Sequence, residues 1–280
     1  MLQRLIADSR VILTGASSGI GAALARALAK ERARLILVAR RHDRLEQLAE
    51  ECEADSTTSI DLVVGDVTDP KLRERAIATA QARWGGLDLL INNAGVSAHG
   101  KFEDNASETF RQIMEVNLFA AAELTRLAVP LLRIGRTPAI VNVSSILGHR
   151  GAPLNSEYSA SKFALRGWSE ALRAELASDG IDVMLVSPGT TDTPFFDHLL
   201  EKQAKLPWGS SKGIPPEAVA AQIVTALRRR RREIFPNWRG RLLVTANRLA
   251  PGLVDRIMKK YGRAAAGSNA IEAGTEDTAR

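Results

Sequence analysis

The stretch Tyr158-Ser-Ala-Ser-Lys162 sets a phenol and an ammonium four positions apart. On a helix that spacing stacks the two side chains on one face, about one turn apart. A free phenol titrates near about 10, and a close cation lowers that by about 1–3, each step being worth about 1.4 kcal/mol. Such a pair can pass a proton to or from a substrate oxygen at neutral pH, provided a scaffold delivers the oxygen to it. Spacing alone is weak evidence, and the surrounding elements decide.

The chain has 280 residues, long enough for a sizeable core, and its 45% hydrophobic and 25% charged content excludes a disordered chain. The lone Cys52 excludes an intrachain disulfide framework and fits a reducing compartment. No apolar run approaches the about 18 residues of a spanning helix, and the opening "MLQRLIADSRVILTG" lacks a signal-peptide pattern. The expected location is the cytoplasm.

Short apolar runs recur at 10–15, 34–39, 60–66, 87–93, 138–145 and 181–189. Their continuity suits strands buried on both faces, as in a parallel sheet. Segments of helical period such as "GAALARALAKERA" and "RLEQLAEECEA" separate them. Strict alternation predicts a doubly wound α/β sheet of about seven strands with right-handed crossovers, Rossmann-like, in one domain over 1–235.

"TGASSGIG" at 14–21 joins the first strand to the first helix. Gly15 permits a tight turn, Gly19 lets a pyrophosphate approach the backbone, and Gly21 allows close helix–sheet packing. The helix start then presents free N–H groups to the anion. The second strand ends in Ala39, Arg40 and Arg41, with no acid before Asp43. Arginines at that tip pair with a 2′-phosphate, so NADP is expected over NAD.

Three more stretches, "LINNAG", "MEVNLFA" and "IVNVSSILG", follow in order before "YSASK". With them, residues 8–195 resemble the short-chain dehydrogenase/reductase family. The resemblance implies a catalytic set of Asn117, Ser145, Tyr158 and Lys162, with Ser145 taken over Ser144 because it lies thirteen positions before the tyrosine. It assigns Ser145 to the substrate oxygen and Asn117 to a water linking Lys162 to solvent. It implies NADP(H) contacts at Gly15, Ser17, Ser18, Gly19, Ile20 and Gly21 in the turn, and at Arg40 and Arg41. Asp66 and Val67 would meet the adenine, and Asn93, Ala94 and Gly95 would line the cofactor. Tyr158 and Lys162 would meet the nicotinamide ribose, and Pro188, Gly189, Thr191 and Thr193 its amide. It implies a homodimer or homotetramer acting on a small carbonyl or alcohol substrate. The four histidines, His42, His99, His149 and His198, lack metal-ligand spacing, so no metal is expected. His99 and His149 are placed at the edge of the substrate pocket.

Beyond the matched region, the resemblance implies a variable substrate lid at about 194–213, where Phe195, Phe196, Leu199, Leu206 and Trp208 would either cover an apolar substrate or pack as an ordinary helix. Residues 228–263 hold twelve Lys or Arg against two acids, while the remainder is net acidic. The segment 236–263 reads as a basic amphipathic helix pair. It suits an anionic membrane surface, or cover over the lid or a second subunit; nucleic acid is not expected. The tail 264–280 is expected to be disordered. The leading expectation is an NADP(H)-dependent oxidoreductase. Its rivals are a cofactor-binding scaffold without turnover and a membrane-surface adaptor.

Overall fold

The computed structural model describes residues 3–54, 58–204, 206 and 213–276, the last thirteen of these by their backbone alone. Seven strands form one parallel sheet: β1 (Arg10–Thr14), β2 (Arg34–Ala39), β3 (Ile60–Val64), β4 (Leu89–Asn92), β5 (Ala139–Val143), β6 (Asp182–Val186) and β7 (Glu233–Ile234). Their order is 3-2-1-4-5-6-7, and every adjacent pair is parallel. The chain runs outward from β1 through β2 to β3, then returns to the other side of β1 as β4. The carboxyl ends of β1 and β4 therefore diverge into a crevice, the place where open α/β sheets bind ligands.

The strand side chains alternate between two cores. Val11 and Leu13, Leu35 and Leu37, and Leu89 and Ile91 face one layer, which α1 (Gly19–Lys30), α2 (His42–Ala54) and α7 (Pro216–Arg228) cover. Ile12, Ile36, Leu90 and Ile140 face the other, under α3 (Pro70–Trp84), α5 (Ala120–Arg133) and α6 (Ser156–Glu175). Burial on both faces is what continuous apolar strands require. Pro216 opens α7 at its first position, where a missing N–H loses nothing.

The break between α4 (Ser107–Met114) and α5 matters for the site. Residues Glu115–Phe119 form a π-helical turn, a local widening often found at functional positions. After β7 the chain adds α8 (Trp238–Leu249) and α9 (Pro251–Glu276). Where composition suggests disorder over 264–280, α9 continues as helix through Glu276, in keeping with the helix propensity of its alanines. The last four residues of that expected tail lie outside the described residues. No helix among the described residues is long and apolar enough to cross a membrane.

Candidate active site

The "YSASK" stretch opens α6, with Tyr158 in its first turn. The positive end of the helix dipole favours negative charge there. Lys162 lies one turn deeper, buried, and its Nζ donates to the carbonyl of Val143, the last residue of β5, at 3.0 Å. The same ammonium stands 5.5 Å from the centre of the Tyr158 ring. The two side chains share a face, as the spacing requires.

The two serines after β5 separate by their partners. Ser144 Oγ turns back to donate to the Lys162 carbonyl at 3.2 Å. Ser145 hydrogen-bonds the Tyr158 hydroxyl and accepts from Leu147 N–H at 3.1 Å, which fixes its rotamer. Ser145 and Tyr158 thus converge from two elements on one point in space, where a substrate oxygen can meet both.

Asn117 sits behind this pair, buried, in the π-helical turn. Its Oδ1 accepts from Val96 N–H at 2.8 Å, while its Nδ2 donates to Val96 O at 3.0 Å and to Ser161 Oγ at 2.9 Å. Both amide hydrogens are therefore held by protein. The side chain clasps the loop after β4 to α6, and it does not line the cavity.

Desolvation by the surrounding protein pushes the Tyr158 phenol up to about 12, against the hydrogen bond from Ser145. The same cause brings Lys162 down to about 8. This differs from the sequence expectation of a lysine-lowered phenol. Burial of each group outweighs their mutual attraction at this separation. At neutral pH these shifts leave the phenol uncharged and the lysine still protonated.

These residues line a cavity of about 750 Å³ that extends to the β1–α1 turn. Gly15 adopts φ +65°, and a Cβ there would come within 2.8 Å of Ala94 Cα. Only glycine combines that conformation with so close an approach of the two strand ends. Arg41 gathers the turn, its Nη2 lying 3.0 Å from Ser17 Oγ and 2.7 Å from Ser18 Oγ. Arg40 is more exposed and stands 3.8 Å from an Asp66 carboxylate oxygen. Asp66 is itself fixed by Thr68, which donates from its N–H at 2.9 Å and its Oγ1 at 2.8 Å.

The cavity brings together Ser17, Ser18, Gly19, Ile20, Val67, Asn93, Ala94, Gly95, Pro188, Gly189, Thr191 and Thr193 with the residues above. Two expected site residues do not line it. Asn117 acts from behind, and Gly21 packs under the turn, where a Cβ would collide with the Gly15 carbonyl oxygen. His99 and His149, expected at the pocket edge, are buried outside it. His149 Nε2 is instead 3.1 Å from Ser187 Oγ and 2.9 Å from Glu233 Oε1, while His198 does reach the cavity. From the lid, Phe195, Phe196 and Leu206 line the wall and Leu199 does not; Trp208 lies outside the described residues.

Sequence reasoning left open where the C-terminal helices lie. Leu243 of α8 and Ile257, Met258 and Tyr261 of α9 form part of the cavity wall. They are held there by Arg150, whose Nη1 meets Asp255 Oδ1 at 2.7 Å, and by Gly240 packing on Ile146. That anchor lies on the turn just after Ser145.

Residues 9–204 match the short chain dehydrogenase family model. The ketoacyl reductase HetN of Nostoc sp. is 34% identical over 259 residues, covering 90% of this chain and 88% of that protein. A short-chain dehydrogenase of Streptomyces avermitilis superposes with a TM-score of 0.78 at 30% identity, over 91% of this chain and 98% of that one. The L-sorbose reductase of Gluconobacter frateurii, solved with NADPH and L-sorbose, gives 0.73 at 27% identity, over 83% and 97%. The family match over residues 9–204 and a relative 34% identical across most of the length leave one assignment: this chain belongs to the short-chain dehydrogenase family of oxidoreductases, which act between alcohols and carbonyls.

Proposed function

We propose that the protein is an NADP(H)-dependent oxidoreductase that interconverts a ketone or aldehyde with an alcohol. The observation that carries this reading is the convergence of Ser145, Tyr158 and Lys162 on one cavity with the Arg41-bound β1–α1 turn. The residues present fit the dinucleotide: the backbone at Gly15 leaves no room for a Cβ, and the start of α1 offers N–H groups to a diphosphate. The Arg41 guanidinium, with Ser17 and Ser18 beside it, suits a 2′-phosphate, which an acid at the same strand tip would repel. The NADPH in the L-sorbose reductase complex points the same way.

When bound, the nicotinamide supplies or takes a hydride. In reduction, Ser145 and Tyr158 hold the substrate oxygen, and the neutral Tyr158 hydroxyl gives up its proton as negative charge builds on that oxygen. Lys162 stabilises the phenolate left behind and offers N–H donors to the ribose hydroxyls. Asn117 keeps Lys162 in place by fixing α6 to the β4 loop. In oxidation the same tyrosine accepts the proton. The raised phenol pKa keeps Tyr158 protonated at neutral pH, the form that reduction requires.

The test is a screen of soluble ketones and aldehydes with NADPH and NADH, following coenzyme absorbance, with Tyr158→Phe beside the natural protein. A general acid contributes about 100- to 10,000-fold, so the variant should lose turnover by that factor while still binding coenzyme. Undiminished turnover in Tyr158→Phe would remove the mechanism.

A further inference from the structure

The helices that close the cavity present a second surface outward. On α8, Trp238, Leu242 and Leu249 recur at positions i, i+4 and i+11, which fall on one stripe. They are 70%, 60% and 81% exposed. On α9, Leu253 and Ile257 continue the pattern at 58% and 45%. The opposite faces dock on the body, with Val244 and Val254 buried, Asn247 donating to the His149 carbonyl and Asp255 bound to Arg150. The apolar stripe is therefore left over after the helices have packed.

Charge says what covers it. Arg239, Arg241, Arg248, Arg256, Lys259, Lys260 and Arg263 are all exposed on these two helices, and none forms an ion pair among the described residues. Arg239 instead stacks on the Trp238 ring, 5.6 Å from its centre. Asp255, the one acid between Trp238 and Arg263, pairs with Arg150 of the body. A second copy laid on the same face would oppose two sets of unpaired cations, and a nucleic acid has no use for a stripe of leucines. An anionic bilayer accepts both features, taking the apolar stripe into the headgroup–acyl boundary and the cations among its phosphates. Outside 238–263 the chain carries 31 basic and 31 acidic residues, so the whole excess of positive charge lies on these two helices.

We propose that α8 and α9 lay this stripe on an anionic lipid bilayer. Ile257 belongs to the stripe and also lines the cavity, and Tyr261 beside it is exposed as well. The cavity wall thus reaches the docked face. Resting on the oxidoreductase reading above, the substrate is then an amphiphile whose carbonyl sits on an apolar chain drawn from the bilayer.

The full chain is sedimented with phosphatidylcholine vesicles, with and without phosphatidylserine, at low and high salt. It should partition at least about tenfold more onto the anionic vesicles, and high salt should reverse this. The triple variant Leu242→Asp, Leu249→Asp, Leu253→Asp touches no cavity residue. It should lose about tenfold or more in vesicle binding while keeping its circular dichroism and its NADPH turnover of a short, soluble ketone. With anionic vesicles present, a long-chain alkanone should be turned over at least about tenfold better than a short one by the natural protein, and not by the variant. Equal binding to neutral and anionic vesicles, or unchanged binding by the variant, overturns the docking. So does lipid-free self-association that the same variant abolishes. No chain-length preference overturns the amphiphile. Vesicle binding without any carbonyl turnover leaves the docking standing and removes the oxidoreductase reading alone.

Discussion

The Lys162 ammonium stands 5.5 Å from the centre of the Tyr158 ring and is tied by 3.0 Å to the carbonyl of Val143. The lysine is thus fixed to the end of β5, and not to the tyrosine hydroxyl. Its position comes from the sheet, and the tyrosine's from the helix start and Ser145. Each proton-bearing group therefore has its own anchor on the shared helix.

Desolvation brings Lys162 down to about 8, and a lysine with a lowered value loses its proton as pH rises through it. Tyr158, pushed up to about 12, keeps its proton throughout the same range. Reductive kcat/KM should therefore be flat at neutral pH and fall above about 8, by about tenfold per pH step. Lys162→Arg, which stays charged, should remove that alkaline limb even where its absolute rate is lower. A natural-protein profile that stays level to about pH 10 would detach Lys162 from the rate.

Arg41, and not the more exposed Arg40, makes the contacts with Ser17 and Ser18. Losing a charge-assisted hydrogen bond costs about 1.5–3 kcal/mol. Arg41→Ala should raise the KM for NADPH about 10- to 150-fold and leave that for NADH within about threefold. Arg40→Ala should do less. Parallel changes for both coenzymes would mean that Arg41 shapes the turn and reads no phosphate.

The sheet and much of the cavity were legible because their cause is local. A strand buried on both faces must be apolar throughout, and a backbone that touches backbone must be glycine, as at Gly15 against Ala94. Tyr158 and Lys162 were legible because helical period puts them on one face. The π-helical turn at Asn117 was not, since "MEVNLFA" reads as ordinary helix and the widening serves contacts to Val96 and Ser161. Nor was the seat of α8 and α9, which depends on Arg150 finding Asp255 across more than a hundred residues of chain. The direction of the Tyr158 shift also escaped, because desolvation belongs to the assembled site and not to the neighbour in sequence.

Asp88 is buried at the amino-terminal edge of the sheet, opposite the cavity. Burial alone would raise its pKa, but Arg10, donating from its N–H and guanidinium at 2.8–2.9 Å, holds it below the usual carboxylate range. A depressed carboxylate contributes stability above its unfolded value and loses it as pH falls through the folded one. Asp88→Asn should lower unfolding stability by about 3–5 kcal/mol at neutral pH and flatten the acid limb of stability. Turnover per folded molecule should not change. Urea melts at two pH values, with activity measured on the folded fraction, decide this.

Asn117 does not line the cavity and spends its amide on Val96 and Ser161, so an effect on the reaction passes through the elements it joins. Removing its amide leaves Val96 N–H and O without their partner and frees α6 at Ser161, the residue next to Lys162. Unsatisfied buried groups of this kind cost about 1–3 kcal/mol each, so Asn117→Ala should melt several degrees lower. A displacement of about 1 Å at the reacting groups costs about 100-fold in rate. The variant should therefore lose kcat by about that factor while the KM for NADPH moves little, because the β1–α1 turn and Arg41 are untouched. Asn117→Asp, which keeps the acceptor for Val96 N–H but sets a carboxylate against Val96 O, should not rescue it. Equal loss in kcat and coenzyme affinity would show that Asn117 supports the whole crevice and does not position Lys162 in particular.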